Sequence, residues 1–139
     1  MPTKKRILVV EDNETILKLI LFILENEGFR VQSTSRGDEA LHLAKETHPD
    51  LVLMDVMMSP VNGYEVCRTL KSERDTRDIP VVLLSAKGQK KEQEEGLNAG
   101  ANAYMVKPFE PDELVEGLKK HLNSDSEGGA YGGKDTGSG

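Results

Sequence analysis

Five short apolar runs, each followed by a segment of helical period, constrain this chain more than any other feature. The runs are RILVV (6–10), FRVQST (29–34), DLVLM (50–54), PVVLL (80–84) and AYMV (103–106), and their length and β-branched content predict strands. Helical segments begin near Glu14, Gly37, Gly63, Gln89 and Pro111. In the last of these, Leu114, Val115, Leu118 and Leu122 share one face, Pro111 suits a first helical turn, and Gly28 suits the end of the first helix. Strand, helix and strand repeated in this order require right-handed crossovers. The expected fold is therefore a doubly wound α/β sandwich, a five-stranded parallel sheet with helices on both faces. A chain of 139 residues has room for one such domain, predicted over 5–123. The remaining SDSEGGAYGGKDTGSG, 124–139, is rich in Gly and Ser without apolar period, which predicts a flexible tail.

Charge excludes several roles. A net charge of -6 disfavours direct contact with nucleic acid or an anionic membrane, since both reward clustered Lys and Arg. The longest apolar stretch, Ile16 to Leu24, is interrupted by Lys18 and falls well short of a bilayer span, and MPTKKR does not lead into a signal-type segment. The expectation is a soluble cytoplasmic protein without membrane insertion. Cys67 has no partner for a disulfide, and His42, His48 and His121 show no metal-ligand spacing. Cys67 reads as a small core residue of a helix.

The stretch LVLMDVMMSP (51–60) poses a chemical question: an acid, Asp55, ends a run whose apolar character predicts burial on both faces. Asp is a common turn residue, so the position alone decides nothing. In an open parallel sheet, however, ligands bind beyond the carboxyl ends of the strands, and other polar groups are predicted there. The first strand ends in Glu11 and Asp12, the third in Asp55, the fourth in Ser85 and the fifth in Lys107. Singly, these are helix-start acids, a cap and a solvated lysine. Jointly, three acids, a hydroxyl and an ammonium suit a hard divalent cation with a phosphoryl group: Mg²⁺ takes carboxylate oxygens, and Lys offers phosphate a compact positive charge. The constellation reads as a phosphoryl-transfer site.

These residues resemble the receiver domain of two-component response regulators, of the single-domain, chemotaxis-regulator-like kind. The resemblance rests on ILVVEDN, PDLVLMDVMM with NGYEV, PVVLLSA and GANAYMVKPF, and covers nearly everything except the tail. It implies a flavodoxin-like fold, Asp55 as phospho-acceptor, and Mg²⁺ held by Glu11, Asp12, Asp55 and the backbone carbonyl of Met57. It further implies that Ser85 and Lys107 grip the phosphoryl oxygens, that Ser85 and Tyr104 form a switch, and that the Lys107–Pro108 peptide is cis. The implied donor is a phosphohistidine on a sensor histidine kinase or histidine phosphotransfer protein. The implied role is a signalling phospho-acceptor that assists only its own phosphorylation and dephosphorylation. The acceptor loop departs from the family's common pattern, with Ser59 before Pro60 and with Asn62 before Gly63; these change loop shape more than chemistry.

Other readings fit less well. A flavin binder of the same fold would meet repulsion between its phosphate and Glu11 and Asp12. An aspartyl phosphatase usually carries a second acid two residues after its nucleophile, where Met57 stands, and the glycine turn of dinucleotide enzymes is missing. The alternative of another class is a receiver fragment that regulates a fused output domain, as in a transcription factor or hybrid kinase.

Two surface features invite function. QKKEQEEGLNAGA, before the last strand, has Leu97 as its one large apolar residue, which predicts a weakly anchored helix. The first helix is apolar nearly all round: a core stripe of Ile16, Leu19, Ile20, Ile23 and Leu24 leaves Leu17 and Leu21 either as a wider buried contact with the last helix or as an exposed patch for docking the phosphohistidine donor.

Overall fold

The computed structural model describes residues 4–58, 61–86 and 88–122. The expected tail and the Ser59–Pro60 departure lie outside them.

Strands and helices alternate without exception among the described residues: β1 (Arg6–Val10), α1 (Glu14–Asn26), β2 (Arg30–Thr34), α2 (Gly37–Thr47), β3 (Leu51–Asp55), α3 (Gly63–Ser72), β4 (Val81–Ser85), α4 (Lys90–Asn98), β5 (Ala103–Val106) and α5 (Pro111–Leu122). The sheet has the order β2-β1-β3-β4-β5, with every pairing parallel. The chain leaves β1 for one neighbour and later returns to its other side. The switch in strand order therefore falls between β1 and β3, and a crevice opens at their carboxyl ends.

Successive strand residues point to opposite faces, and two cores result. Leu8, Val10, Val52, Met54 and Leu83 pack with Ala40, Ala44, Val66, Cys67 and Leu70 of α2 and α3. On the other face, Ile7, Val9, Leu51, Leu53, Val82 and Leu84 pack with α1 and α5, where Ile20, Ile23, Leu24, Leu114, Val115, Leu118 and Leu122 are buried. β3 and β4 are buried at every position, as strands covered on both faces must be. Cys67 is a buried core residue, and burial pushes its thiol up to about 11.

The helix ends follow local chemistry. Asn13 and Asn62 accept from the amides of Ile16 and Glu65, each capping the first turn of its helix. Gly28, with φ of +95°, follows the end of α1 and donates to the Glu25 carbonyl. Gly63 answers to packing instead. A Cβ there would lie 2.6 Å from the Asp55 carbonyl oxygen and 2.9 Å from Val56 Cα, so only glycine lets α3 begin against the end of β3. Its N–H donates to the Val56 carbonyl at 2.8 Å, fastening α3 to the strand that carries Asp55.

α4 is the least embedded helix: Gly96 is its one buried residue, and Leu97 is 55% exposed. The expectation of a weakly anchored helix holds. The expected core stripe of α1 needs one correction, because Leu19 is exposed while Leu17 packs against the core of the α1 and α5 face.

Candidate functional site

β1 and β3 end side by side, which brings their terminal acids together. Oxygens of Glu11, Asp12 and Asp55 lie within 4.8 Å of one another. Their exposure differs sharply. Glu11 and Asp55 are buried, whereas Asp12 is exposed and opens the group to solvent. β5 contributes the counter-charge: Lys107 Nζ lies 3.4 Å from Asp55 Oδ1 and 3.3 Å from Glu11 Oε1. The Lys107–Pro108 peptide is cis, as the resemblance implied.

Glu11 is held firmly. Its N–H donates to the Thr34 carbonyl on β2, and its Oε2 accepts from the Asn13 amide at 3.1 Å. Oε1 is buried without a well-aligned hydrogen bond, although Lys107 stands within ion-pair range. Burial, and then the negative charge of Asp55, raise the Glu11 carboxyl above its ordinary pKa, opposed by the Asn13 amide and Lys107. Two buried carboxylates with one ammonium form an electron-rich pocket that a cation would complete. The residues fit Mg²⁺ on chemistry: hard oxygen donors, a carboxylate oxygen lacking a good donor, and one exposed acid at the mouth. The backbone N–H of Met57 points at Asp55 Oδ1 from 3.4 Å, and the Met57 side chain is 55% exposed at the rim.

Ser85 ends β4, fully buried, and its carbonyl accepts from the Lys107 amide at 2.8 Å. This bond sets β5 so that Lys107 emerges beside Asp55. Tyr104, two residues into β5, is half-buried and packs against the core of the α2 and α3 face. The structure thus brings Glu11, Asp12, Asp55, Ser85 and Lys107 to one edge, with Met57 at the rim and Tyr104 behind.

The expected docking pair does not form an exposed patch. Leu17 and Leu21 are half-buried, and Leu17 packs against the core of the α1 and α5 face. The exposed apolar residues of α1 are Leu19 and Phe22, the latter 69% exposed. Leu19 and Ile16 line an apolar cleft of about 340 Å³ with Ala86, Lys107, Pro108 and Phe109.

Tyr64 was not singled out by the sequence. It is buried in the first turn of α3, and its hydroxyl donates to the Glu92 carbonyl at 3.1 Å and lies 3.5 Å from the Tyr104 hydroxyl. Burial raises its phenol, aided by the contact with Tyr104. The available signal was NGY, an aromatic with a polar tip placed directly after a helix cap and a glycine that grips β3.

Comparison with known proteins agrees with this geometry. The family of the response regulator receiver domain matches residues 7–119. The phosphate regulon transcriptional regulatory protein PhoB of Klebsiella pneumoniae is 43% identical over 115 residues, 83% of this chain and 50% of that protein; the chain spans about half the length of this relative. The polar-differentiation response regulator DivK of Brucella ovis is 39% identical over 118 residues, 85% of this chain and 96% of that protein. Among solved structures, the receiver domain of the sensor histidine kinase PA1611 of Pseudomonas aeruginosa, with a magnesium ion coordinated in its active site cleft, superposes with a TM-score of 0.82 at 31% identity, covering 88% of this chain and all of that one.

Proposed function

The chain belongs to the family of response regulator receiver domains of two-component systems, signalling phospho-acceptors rather than conventional enzymes, and on that premise we propose that Asp55 is the residue that accepts the phosphoryl group. The observation that carries the proposal is the meeting of three carboxylates within 4.8 Å with a lysine ammonium 3.4 Å from Asp55.

An Asp55 carboxylate oxygen attacks the phosphorus of a phosphohistidine. A P–O bond forms as the P–N bond to the donor imidazole breaks, and the phosphoryl group becomes an aspartyl phosphate. Glu11, Asp12, Asp55 and the Met57 carbonyl would hold Mg²⁺, which when bound supplies positive charge to the phosphoryl oxygens. Lys107 offsets the charge that gathers on the equatorial oxygens, and its place between Glu11 and Asp55 keeps the ammonium aimed there before the donor arrives. The Ser85 hydroxyl holds another phosphoryl oxygen. Its shift toward the phosphoryl group frees space for Tyr104 to turn, and the face of α4, β5 and α5 changes shape. Exposed Met57 covers the rim and slows the water that hydrolyses the acyl phosphate.

Receiver domains take their phosphoryl group from histidine kinases or phosphotransfer proteins. We place the docking surface at Leu19 and Phe22 rather than at Leu17 and Leu21, because an apolar helical donor needs exposed area next to Asp55, and the cleft at Ile16 and Leu19 opens beside Lys107. The protein's place is the cytoplasm. No helix among the described residues is long and apolar enough to cross a membrane. The half-length match to a transcriptional regulator favours the second reading, a receiver that governs a fused output domain; the near full-length match to DivK favours a free-standing one.

Incubation with Mg²⁺ and a small acyl phosphate tests the acceptor. Intact mass should rise by one phosphoryl group in the wild type and not in Asp55→Asn. An equal gain in the Asn variant would overturn the assignment.

A further inference from the structure

Tyr64 lies between the acceptor strand and the helix with the least buried area. On one side, α3 begins against β3: the Gly63 N–H is bound to the Val56 carbonyl at 2.8 Å, and the Asp55 carbonyl leaves no room for a Cβ at Gly63. The backbone at Tyr64 therefore follows that of Asp55. On the other side, the Tyr64 hydroxyl reaches two different elements, the Glu92 carbonyl in the first turn of α4 and the Tyr104 hydroxyl on β5.

A phenol has one proton to give. With that proton on the Glu92 carbonyl, any hydrogen bond across the 3.5 Å between the two hydroxyls takes Tyr104 as its donor. Raised by burial, the phenol stays protonated and remains a donor. The Tyr104 ring in turn rests directly on α4: a Cβ at Gly96 would lie 2.8 Å from Tyr104 Cδ2 and 3.2 Å from Leu83 Cδ1. Gly96 is the one buried residue of α4, and Glu92 Oε1 is buried there without a hydrogen bond. The two tyrosines thus meet α4 at two points, the Glu92 carbonyl and Gly96, beside the Arg68–Glu95 ion pair.

We propose that Tyr64 is a positioning residue of the switch, whose phenol ties α4 and Tyr104 to the backbone beside Asp55 and holds the α4 face in one arrangement until Tyr104 turns. The inference rests on Asp55 as the acceptor only for what breaks the tie; the tie itself belongs to the unphosphorylated protein. Rotation of Tyr104 parts the two hydroxyls, the Tyr64 phenol then holds α4 through the Glu92 carbonyl alone, and the helix loosens.

Tyr64→Phe removes the hydroxyl and keeps the buried ring. In the unphosphorylated protein, amides of α4 should exchange about fivefold faster than in the wild type, the effect of one lost neutral hydrogen bond, while amides of α5 stay at wild-type rates. Tyr104→Phe should speed the same amides. The double variant should fall short of the product of the single effects, because the two hydroxyls act through one contact. Unchanged α4 exchange in Tyr64→Phe, or an equal rise in α4 and α5, would overturn the proposal, the second because it marks a merely structural loss. A small acyl phosphate with Mg²⁺ completes the test. Phosphorylation, followed by intact mass, should raise α4 exchange less in Tyr64→Phe than in the wild type, and an equal rise would remove the tie from the switch. Absence of a phosphoryl mass in the wild type would refute the acceptor reading, and the comparison of unphosphorylated proteins would still decide the tie.

Discussion

The ammonium of Lys107 stands 3.4 Å from Oδ1 of Asp55, and both side chains are largely withdrawn from water. The same ammonium also faces Glu11, so one lysine serves two buried carboxylates with Asp12 close by. Such a pocket holds excess negative charge in a poorly solvated place, and charge repulsion there opposes folding. The arrangement suits binding better than stability.

Asp55→Asn should therefore stabilise the metal-free protein. Removing one charge while keeping shape and hydrogen-bonding atoms should raise the thermal midpoint by about 4 °C, the shift that roughly 1 kcal/mol produces in a domain of this size. Circular dichroism melts in chelator would measure it. A lower midpoint would mean that attraction to Lys107 outweighs repulsion from Glu11.

Glu11→Ala combined with Asp12→Ala should weaken Mg²⁺ binding by about tenfold or more, since two of the three clustered carboxylates that would hold a hard cation are gone. Titration calorimetry with Mg²⁺ alone reads this directly. An unchanged isotherm would place the ion elsewhere.

Met57 projects from the rim with more than half its surface exposed, and its N–H points at Asp55. On the proposed reading an apolar side chain there would hinder the attacking water, so Met57→Asn should shorten the half-life of the aspartyl phosphate. Decay of the phosphorylated mass after removal of the small donor is the measurement. An equal or longer half-life would refute shielding.

Strand and helix order was legible because each apolar run is long enough to cross a sheet and each helix carries its own period. The limits shifted by a residue where tertiary pairing decides them: β3 runs on to Asp55 because the ladder with β4 continues to Leu84. The polar groups at the strand ends were legible because a parallel sheet collects them there, whatever the side-chain details. The exposed side of α1 was not. So many apolar residues in thirteen leave the period without a polar edge to mark the outer face, and only the packing of α1 between the sheet and α5 separates Leu17 from Leu19. Tyr64 escaped for another reason: its partners are 28 and 40 residues away, and no local pattern records a contact between α3, α4 and β5.

Leu19 and Phe22 lie three residues apart on α1, hence next to each other on its outer face, and both are large, apolar and exposed. Leu19 also lines the apolar cleft that ends at Lys107, so an amphipathic helix laid along this face would bring a histidine on its flank close to Asp55. Phe22 is well exposed, and removing its ring should change folding stability by less than about 0.5 kcal/mol, as is usual for surface substitutions. Leu17→Ala, by contrast, removes a half-buried side chain packed on the core and should lower the thermal midpoint. Leu19→Ala with Phe22→Ala should slow phosphotransfer from a protein phosphohistidine donor while leaving phosphorylation by a small acyl phosphate unchanged, since on the proposed reading the small donor would need only the carboxylates, Lys107 and Mg²⁺. Stopped reactions with both donors, followed by intact mass, distinguish the outcomes. Equal loss with both would show that the pair shapes the site itself, and no loss with the protein donor would move docking to another face.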